Sequence, residues 1–239
     1  MERTFTLRTR GRKVIYGKIR GSLHRPVVVL VHGLSGHMDE ALHYNAARFF
    51  EQHGFTSVRF NLYSWEPGGR KLAQCTLKIH ARDLDAVVTW LRRRGAKWVY
   101  VVGHSYGAPT ILHSQQKQFD GVVFWDGSYG TISRYLLKLP KVPGFPARVM
   151  DGGYGVLVGE RMVQESTKVD SLALVRKLRV PMGFFYAGKG RIQAGGRAMY
   201  RAARGPKVFK VIPGAGHNFS EDGKQEQLFR ATLAWLKNL

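Results

Sequence analysis

The chain has 239 residues, of which 44% are hydrophobic and 12% aromatic, and its 38 basic and 16 acidic residues give a net charge of +22. This length and apolar content are typical of a globular domain with a substantial core and exclude a disordered chain. The longest apolar run, Val27–Val31, is far too short to span a membrane.

Predicted strands and helices alternate along the chain. The first 21 residues alternate polar and apolar side chains and predict a β-hairpin that turns near Arg10 and Gly11. Apolar runs predict further strands at 26–33, 56–63, 97–103, 121–126, 180–188 and 207–214. Helical spacing of apolar residues predicts helices at 39–53, 79–95, from Ser105, 193–204 and from about Glu221.

This alternation predicts one α/β domain over residues 1–239. We expect a mostly parallel sheet of about eight strands, with helices on both faces and right-handed crossovers. After the sixth strand, the stretch 127–179 is predicted to be a long irregular insertion.

The pattern G-x-S-x-G occupies Gly103 to Gly107, where a predicted strand ends and a predicted helix begins. Small residues on both sides of Ser105 permit a tight, strained turn that exposes the serine hydroxyl above the carboxyl edge of the sheet. Ser105 is therefore the predicted nucleophile. The alternative is a glycine-lined turn with a chemically idle serine.

His217 stands behind a Gly-Ala-Gly loop at the end of the last predicted strand, where it can reach Ser105 as a general base. The backbone N–H groups of Leu34 and Tyr106 are the predicted oxyanion donors. By contrast, His32 and His104 are predicted to shape their loops and not to transfer protons. No spacing of histidines and carboxylates matches a metal site, so neither a metal nor an organic cofactor is predicted.

Four segments, VVLVHGLSGH, GHSYGA, AGKGRI and IPGAGHNF, together resemble the α/β-hydrolase superfamily. Within it, the chain is similar to cinnamoyl/feruloyl esterases and to monoacylglycerol-lipase-like (serine aminopeptidase S33-type) hydrolases, over nearly its whole length. The resemblance implies an α/β-hydrolase fold in which 127–179 is the cap. It also implies hydrolysis of a carboxylic ester through an acyl-enzyme on Ser105.

One residue of that family's pattern is missing. The family usually carries its catalytic acid after the strand that corresponds to 180–188, and the matching position here is Gly190. The interval 187–210 contains no Asp or Glu at all. Asp126 ends the preceding predicted strand at the same sheet edge, and pancreatic-lipase-type relatives take their acid from that place. A Ser105–Asp126–His217 triad is therefore predicted.

Three alternatives to this acid stay open. Asp126 precedes a glycine and could cap its own turn. Another carboxylate could replace it, and the candidates are Glu160, Glu165, Glu221 and Asp222, the last two expected in the first turn of the final helix. The third is a serine–histidine pair that works without an acid.

The predicted partner is a small-molecule or polymeric ester. Four aromatic residues of the insertion suit an apolar or aromatic substrate: Tyr129, Tyr135, Phe145 and Tyr154. The alternative function is a catalytically impaired binding protein on a hydrolase fold, because the usual acid position is a glycine.

The positive charge favours nonspecific association with polyanions, or it reflects a basic proteome. No integral membrane segment is predicted. Because Cys75 is the only cysteine and the N-terminus carries no hydrophobic signal segment, the expected location is the cytoplasm.

Overall fold

The computed structural model describes residues 2–9, 11–151 and 155–239, apart from the side chains of 131–133. Arg10 and Tyr154 lie outside the described residues. The strands are β1 (Glu2–Arg8), β2 (Val14–Arg20), β3 (Val27–Val31), β4 (Thr56–Phe60), β5 (Val99–His104), β6 (Gly121–Trp125), β7 (Ala147–Asp151), β8 (Gly155–Gly159), β9 (Met182–Ala187) and β10 (Lys207–Ile212).

The helices are α1 (Ala41–Gln52), α2 (Leu77–Arg93), α3 (Gly107–Leu112), α4 (Thr131–Lys138), α5 (Glu160–Ser166), α6 (Ser171–Lys177), α7 (Gln193–Ala202) and α8 (Lys224–Leu236). A short 3-10 helix spans Leu72–Gln74. In the described part of the chain, no helix combines the length and the apolar character needed to cross a bilayer.

Eight strands form the main sheet in the order β1-β2-β4-β3-β5-β6-β9-β10. Strand β2 runs antiparallel to β1 and β4, and the pairs from β4 to β10 are all parallel. The predicted mostly parallel sheet is thus confirmed. Because parallel strands end at one edge, the loops after β3, β5, β6, β9 and β10 all emerge there.

Helices cover both faces of this sheet, and the alternation of side chains along β3 shows how. Val27, Val29 and Val31 join the core shared with α2, α3, α6 and α7. Val28 and Leu30 join the core shared with α1 and α8 on the opposite face. All five side chains are buried, which explains why this strand reads as a continuous apolar run.

Some predicted boundaries and one predicted segment are wrong. Helix α1 begins at Ala41 and ends at Gln52, and α3 begins at Gly107 because Ser105 and Tyr106 form the turn before it. Helix α2 begins at Leu77, where the Thr76 side chain accepts a hydrogen bond from the Ile79 amide.

The insertion 127–179 is not irregular. Its described residues form α4, the antiparallel hairpin of β7 and β8, α5 and α6. Short elements of this kind give weak periodicity, because a seven-residue helix shows only two turns of its pattern.

One buried hydrogen bond anchors the end of β6. The Trp125 indole N–H donates to the Thr232 hydroxyl at 2.9 Å, and both residues are fully buried between the sheet and α8. The Trp125 carbonyl in turn accepts the Ser105 amide at 3.1 Å. Packing of α8 therefore fixes the strand end from which the turn after β6 begins.

We expect Thr232→Val to destabilise the fold by about 1–3 kcal/mol, because it keeps the side-chain volume but leaves a buried indole N–H without an acceptor. Urea unfolding followed by circular dichroism measures this loss. Thr89→Val is the matched control, since the hydroxyl of Thr89 binds Gln116 at the surface. Equal losses in the two variants would contradict the assigned role of the buried bond.

Candidate active site

Ser105 occupies a strained turn between β5 and α3. Its φ is +51°, a left-handed conformation that costs energy in any residue with a Cβ. The turn is held from two sides, because the Ser105 amide donates to Trp125 and the Ser105 carbonyl accepts the amides of Ala108 and Ser128. The predicted elbow is therefore present, with Ser105 at its tip.

The two glycines of the motif are required by close backbone contacts. A Cβ on Gly103 would lie 2.6 Å from the carbonyl carbon of Gly107, and a Cβ on Gly107 would lie 2.5 Å from the Val31 carbonyl oxygen. Neither distance is compatible with a side chain. Gly103 thus lets β5 approach the start of α3, and Gly107 lets α3 approach the end of β3.

His217 contacts both other predicted site residues. Its Nε2 atom lies 2.9 Å from Ser105 Oγ, and its Nδ1 atom lies 2.6 Å from Asp126 Oδ2. With the proton on Nδ1, the ring donates to the carboxylate and accepts from the serine hydroxyl. The structure thus brings Ser105, His217 and Asp126 together in the predicted order.

Asp126 is held at the end of β6 by the neighbouring strand. Its amide donates to the Phe185 carbonyl at 2.8 Å, and its Oδ1 accepts the Ala187 amide at 3.1 Å. The side chain is fully buried, and its φ is +41°. Both partners of the carboxylate, Ala187 and His217, lie outside the turn that follows β6, which argues against a turn-capping role.

Gly190 leaves room for this carboxylate. A Cβ on Gly190 would lie 3.1 Å from both Oδ1 and Oδ2 of Asp126. The loop after β9, where the resembled family places its acid, therefore passes directly beside the carboxylate supplied by β6. Asp126 occupies the space that an acidic side chain at 190 would enter.

Three of the four alternative carboxylates have other partners. Glu160 pairs with Arg148 at 2.9 Å, and Glu165 accepts the Lys78 amide at 3.2 Å. Glu221 accepts the Gly216 amide at 2.8 Å and so supports the loop before His217. The expectation that Glu221 and Asp222 belong to the last helix is wrong, since α8 begins at Lys224.

The predicted oxyanion donors flank the serine. Tyr106 follows it directly, and Gly33 lies so close that a Cβ on it would be 3.8 Å from Ser105 Oγ. Leu34 is the next residue after Gly33. Among the described residues, neither the Leu34 amide nor the Tyr106 amide donates a hydrogen bond to a protein group. Both amides are thus available to a bound ligand.

Comparison with known families agrees with this geometry. A model of the alpha/beta hydrolase family matches residues 28–231, which is most of the chain. The chain belongs to the alpha/beta hydrolase family. Among curated proteins, none matches its sequence significantly.

Solved structures of this fold superpose closely despite low sequence identity. Est1E from Butyrivibrio proteoclasticus with bound ferulic acid shares 17% identity at a TM-score of 0.81, covering 94% of this chain and 95% of that one. The esterase domain of a Rhodothermus marinus protein shares 18% at 0.80, covering 100% and 98%. Mouse alpha/beta hydrolase domain-containing protein 10 shares 14% at 0.78, covering 99% of each. At such identities the likeness shows the fold alone.

Ser128 belongs to the site of this hydrolase-family chain and was missed by the sequence analysis. Its hydroxyl oxygen lies 3.4 Å from Ser105 Oγ, and its amide donates to the Ser105 carbonyl. Its place two residues after Asp126 was the available signal. Nothing in the sequence shows, however, that the turn after β6 folds back over the elbow.

A row of buried imidazoles lies behind His217. The His104 ring is 4.9 Å from that of His217, His43 is 6.0 Å from His104, and His32 is 6.5 Å from His43. His104 Nε2 donates to the His217 carbonyl at 2.9 Å, so it positions the loop that carries His217. His32 likewise braces its own turn, with Nδ1 donating to the Gly33 carbonyl and Nε2 accepting the Leu62 amide. These contacts agree with the predicted loop-shaping roles.

Burial keeps these rings neutral. Loss of hydration lowers the pKa of His32 and of His104 to about 4, with the nearby His217 adding to the effect on His104. It lowers the pKa of His80 to about 3 and that of His43 well below its usual value. Each ring therefore binds its proton more weakly in the folded than in the unfolded chain.

We expect the free energy of unfolding to be highest above about pH 6.5 and to fall as the pH drops towards about 4, because in this window the unfolded chain binds more protons. Each such histidine contributes up to about 1.4 kcal/mol per pH unit. Asp83 partly offsets the effect of one histidine. Burial raises the pKa of its carboxyl to about 6, so the folded chain binds this proton more tightly than the unfolded chain does.

Urea midpoints measured from pH 8 to pH 4 check this expectation. His80→Gln should reduce the slope, whereas the same change at the exposed His24 should leave it as it is. Stability that stayed level between pH 6.5 and 5 would contradict neutral burial of the histidines.

Proposed function

We propose that the protein is a serine hydrolase of carboxylic esters that works through an acyl-enzyme on Ser105. The observation that carries this proposal is the double contact of His217, at 2.9 Å from Ser105 Oγ and 2.6 Å from Asp126 Oδ2. Membership of the alpha/beta hydrolase family supports hydrolysis as the class of reaction. Fold alone would not, because folds of this kind host many functions.

In the first half of the reaction, Ser105 Oγ attacks the ester carbonyl while His217 Nε2 takes the hydroxyl proton. The imidazolium that forms is stabilised by the Asp126 carboxylate through the bond to Nδ1. His217 then returns the proton to the leaving alcohol, and the acyl group stays on Ser105. Water activated by the same imidazole attacks the acyl-enzyme and releases the acid.

The negative charge that develops on the carbonyl oxygen is accepted by backbone N–H groups. The Leu34 and Tyr106 amides are the proposed donors, since they flank Ser105 and have no protein acceptor in the described residues. Fixed donors of this type contribute about 2.7–4 kcal/mol each to the transition state. No part of this scheme requires a metal or an organic cofactor.

The insertion 127–179 is the proposed cap over a small-molecule or polymeric ester. Tyr129 is partly buried beside the site, whereas Tyr135 and Phe145 are about half exposed. These rings suit an apolar or aromatic ester. The ferulic acid bound by Est1E makes an aromatic ester the first substrate to test.

The alternative of an impaired binding protein arose from the glycine at position 190. Asp126 weakens that argument, because its carboxylate lies against the imidazole despite the missing family acid. The serine hydrolase is therefore the better supported proposal.

Hydrolysis of a short-chain phenyl ester by wild type, Ser105→Ala, Asp126→Asn and Asp222→Asn tests it, together with labelling by a fluorophosphonate. We expect Ser105→Ala to lose both labelling and turnover. In Asp126→Asn, kcat should fall about 10⁴-fold, because the amide cannot fix the imidazole tautomer or stabilise its cation. Asp222→Asn controls for loss of a nearby negative charge and should stay close to wild type.

Wild type that neither labels at Ser105 nor hydrolyses the ester would overturn the proposal and favour a binding protein. A fall of less than about tenfold in folded Asp126→Asn would instead remove Asp126 from the mechanism and leave a serine–histidine pair.

The acid should also be transferable to its usual family position. Asp126→Gly removes the carboxylate and relieves its positive φ, and adding Gly190→Asp places a new carboxylate in the vacated space. We expect the double variant to regain at least about tenfold in kcat over Asp126→Gly alone. Gly190→Asp in wild type should lower kcat, because two carboxylates would then compete for one site.

The control is Lys189→Asp in the Asp126→Gly background, which adds a carboxylate one residue away on an exposed side chain and lowers the net charge by two units, against one for Gly190→Asp. Equal recovery in this control would show that net charge matters and the position of the acid does not.

A further inference from the structure

One cavity is lined by residues that adjoin the candidate active site along the chain. It has a volume of about 630 Å³, within the range of small-molecule sites. Three segments form its walls: the connection from β6 into α4, the start of α6, and the loop from β9 into α7. All three belong to the insertion or to the carboxyl edge of the sheet.

Two walls of this cavity are continuous with the site residues. Tyr129 lines the cavity and follows Ser128, whose hydroxyl is 3.4 Å from Ser105 Oγ. Arg191 also lines the cavity and follows Gly190, which lies against the Asp126 carboxylate. A molecule bound in the cavity would therefore contact residues that directly follow Ser128 and Gly190 in the chain, close to the proposed nucleophile.

The position of Tyr129 is fixed by α7. A Cβ on Gly195 would lie 2.6 Å from Cδ1 of the Tyr129 ring, so the missing side chain lets the ring rest directly on the helix. Ile192, Val169 and Ala198 add apolar surface to the same cavity. The cavity thus offers one aromatic and several aliphatic contacts to the body of a ligand.

Its charged groups favour a negative ligand. Arg134 and Arg191 both line the cavity and are exposed, and neither forms an ion pair within the described residues. Asp170 is the one carboxylate among the lining residues, and its Oδ1 accepts the Ala173 amide. Two arginines and one aspartate leave a net lining charge of +1, which matches a single negative charge better than a dianion.

One buried hydroxyl in the wall also lacks a partner. Ser171 is 2% exposed, and its Oγ makes no hydrogen bond to any described residue. A buried hydroxyl without a partner is uncommon, because it has lost water without a replacement. The unpartnered hydroxyl therefore lies just behind the wall of the cavity, where a rotation of the Ser171 side chain would let it bind a ligand oxygen.

Resting on the proposed esterase function, we infer that the preferred substrate is an ester carrying a carboxylate, which is bound by Arg134 and Arg191 while its apolar body lies against Tyr129. The guanidinium fork matches a planar carboxylate through paired N–H donors. Arg134 of the insertion and Arg191 of the loop after β9 would thus determine which esters the protein prefers.

Two matched ester pairs test this inference: phenyl butyrate against monophenyl succinate, and phenyl acetate against 4-acetoxybenzoate. We expect wild type to favour the carboxylate member of at least one pair by about tenfold in kcat/KM. Arg134→Gln and Arg191→Gln should each bring that ratio towards one. Because both arginines are exposed, 0.5 M salt should also reduce it.

Arg93→Gln on α2 removes the same charge from an exposed site remote from the cavity, and it should keep the wild-type ratio. Equal loss in this control would attribute the preference to the net charge of +22 and overturn the inference. Equal rates for both members of both pairs would overturn it as well, while leaving the proposed esterase function in place.

A binding measurement covers the case in which no ester is hydrolysed. We expect 4-phenylbutyrate at about ten times its Kd to raise the melting temperature of wild type by about 2–5 °C, whereas its neutral amide does so less. The rise should shrink in Arg191→Gln and persist in Arg93→Gln. No difference between acid and amide would overturn the carboxylate site whether or not Ser105 is reactive.

Discussion

The contact between His217 and Asp126 depends on the pairing of β6 with β9. That pairing aligns Trp125 with Phe185, so the next residue, Asp126, donates its amide to the Phe185 carbonyl and accepts the Ala187 amide on its carboxylate. The acid is thus tied into the sheet at both its backbone and its side chain. A carboxylate held in this way is directed at the imidazole before any ligand arrives, which is the preorganisation that charge stabilisation requires.

The buried histidines behind the site complement this arrangement because they are neutral. The bond from His104 to the His217 carbonyl holds the loop, and burial keeps the pKa of His104 near 4. A charged ring at that position would lie next to the His217 imidazole. Because His104 is neutral, it holds the His217 loop without placing a positive charge beside the imidazole that Asp126 contacts.

Much of the fold and of the candidate site could be predicted from the sequence, because the ends of parallel strands lie at one edge of the sheet. The glycines around Ser105 and the loop after the last strand led to Ser105 and His217, and the end of the preceding strand led to Asp126; the structure brings these three predicted residues into contact. The contact between Asp126 and His217 joins residues 91 positions apart, however, and depends on a positive φ that no composition reveals. The placement of Ser128 and the short helices of the insertion were missed for a related reason, since tertiary contacts decide them.

The proposed acid follows β6 in this chain and not β9, and the turns that carry Ser105 and Asp126 are directly joined by backbone hydrogen bonds. The Ser105 amide bonds to the end of β6, and the amide of Ser128, just beyond Asp126, bonds back to the Ser105 carbonyl. Both Ser105 and Asp126 have positive φ, so each turn stores strain that the other helps to maintain. The loop at Gly190 makes no comparable bond to the elbow among the described residues, although it lies directly beside the Asp126 carboxylate. Under the proposed mechanism, an acid could therefore come from either strand end without a shift of Ser105 or His217, and the strand end that does not supply it can line a pocket, as Arg191 does.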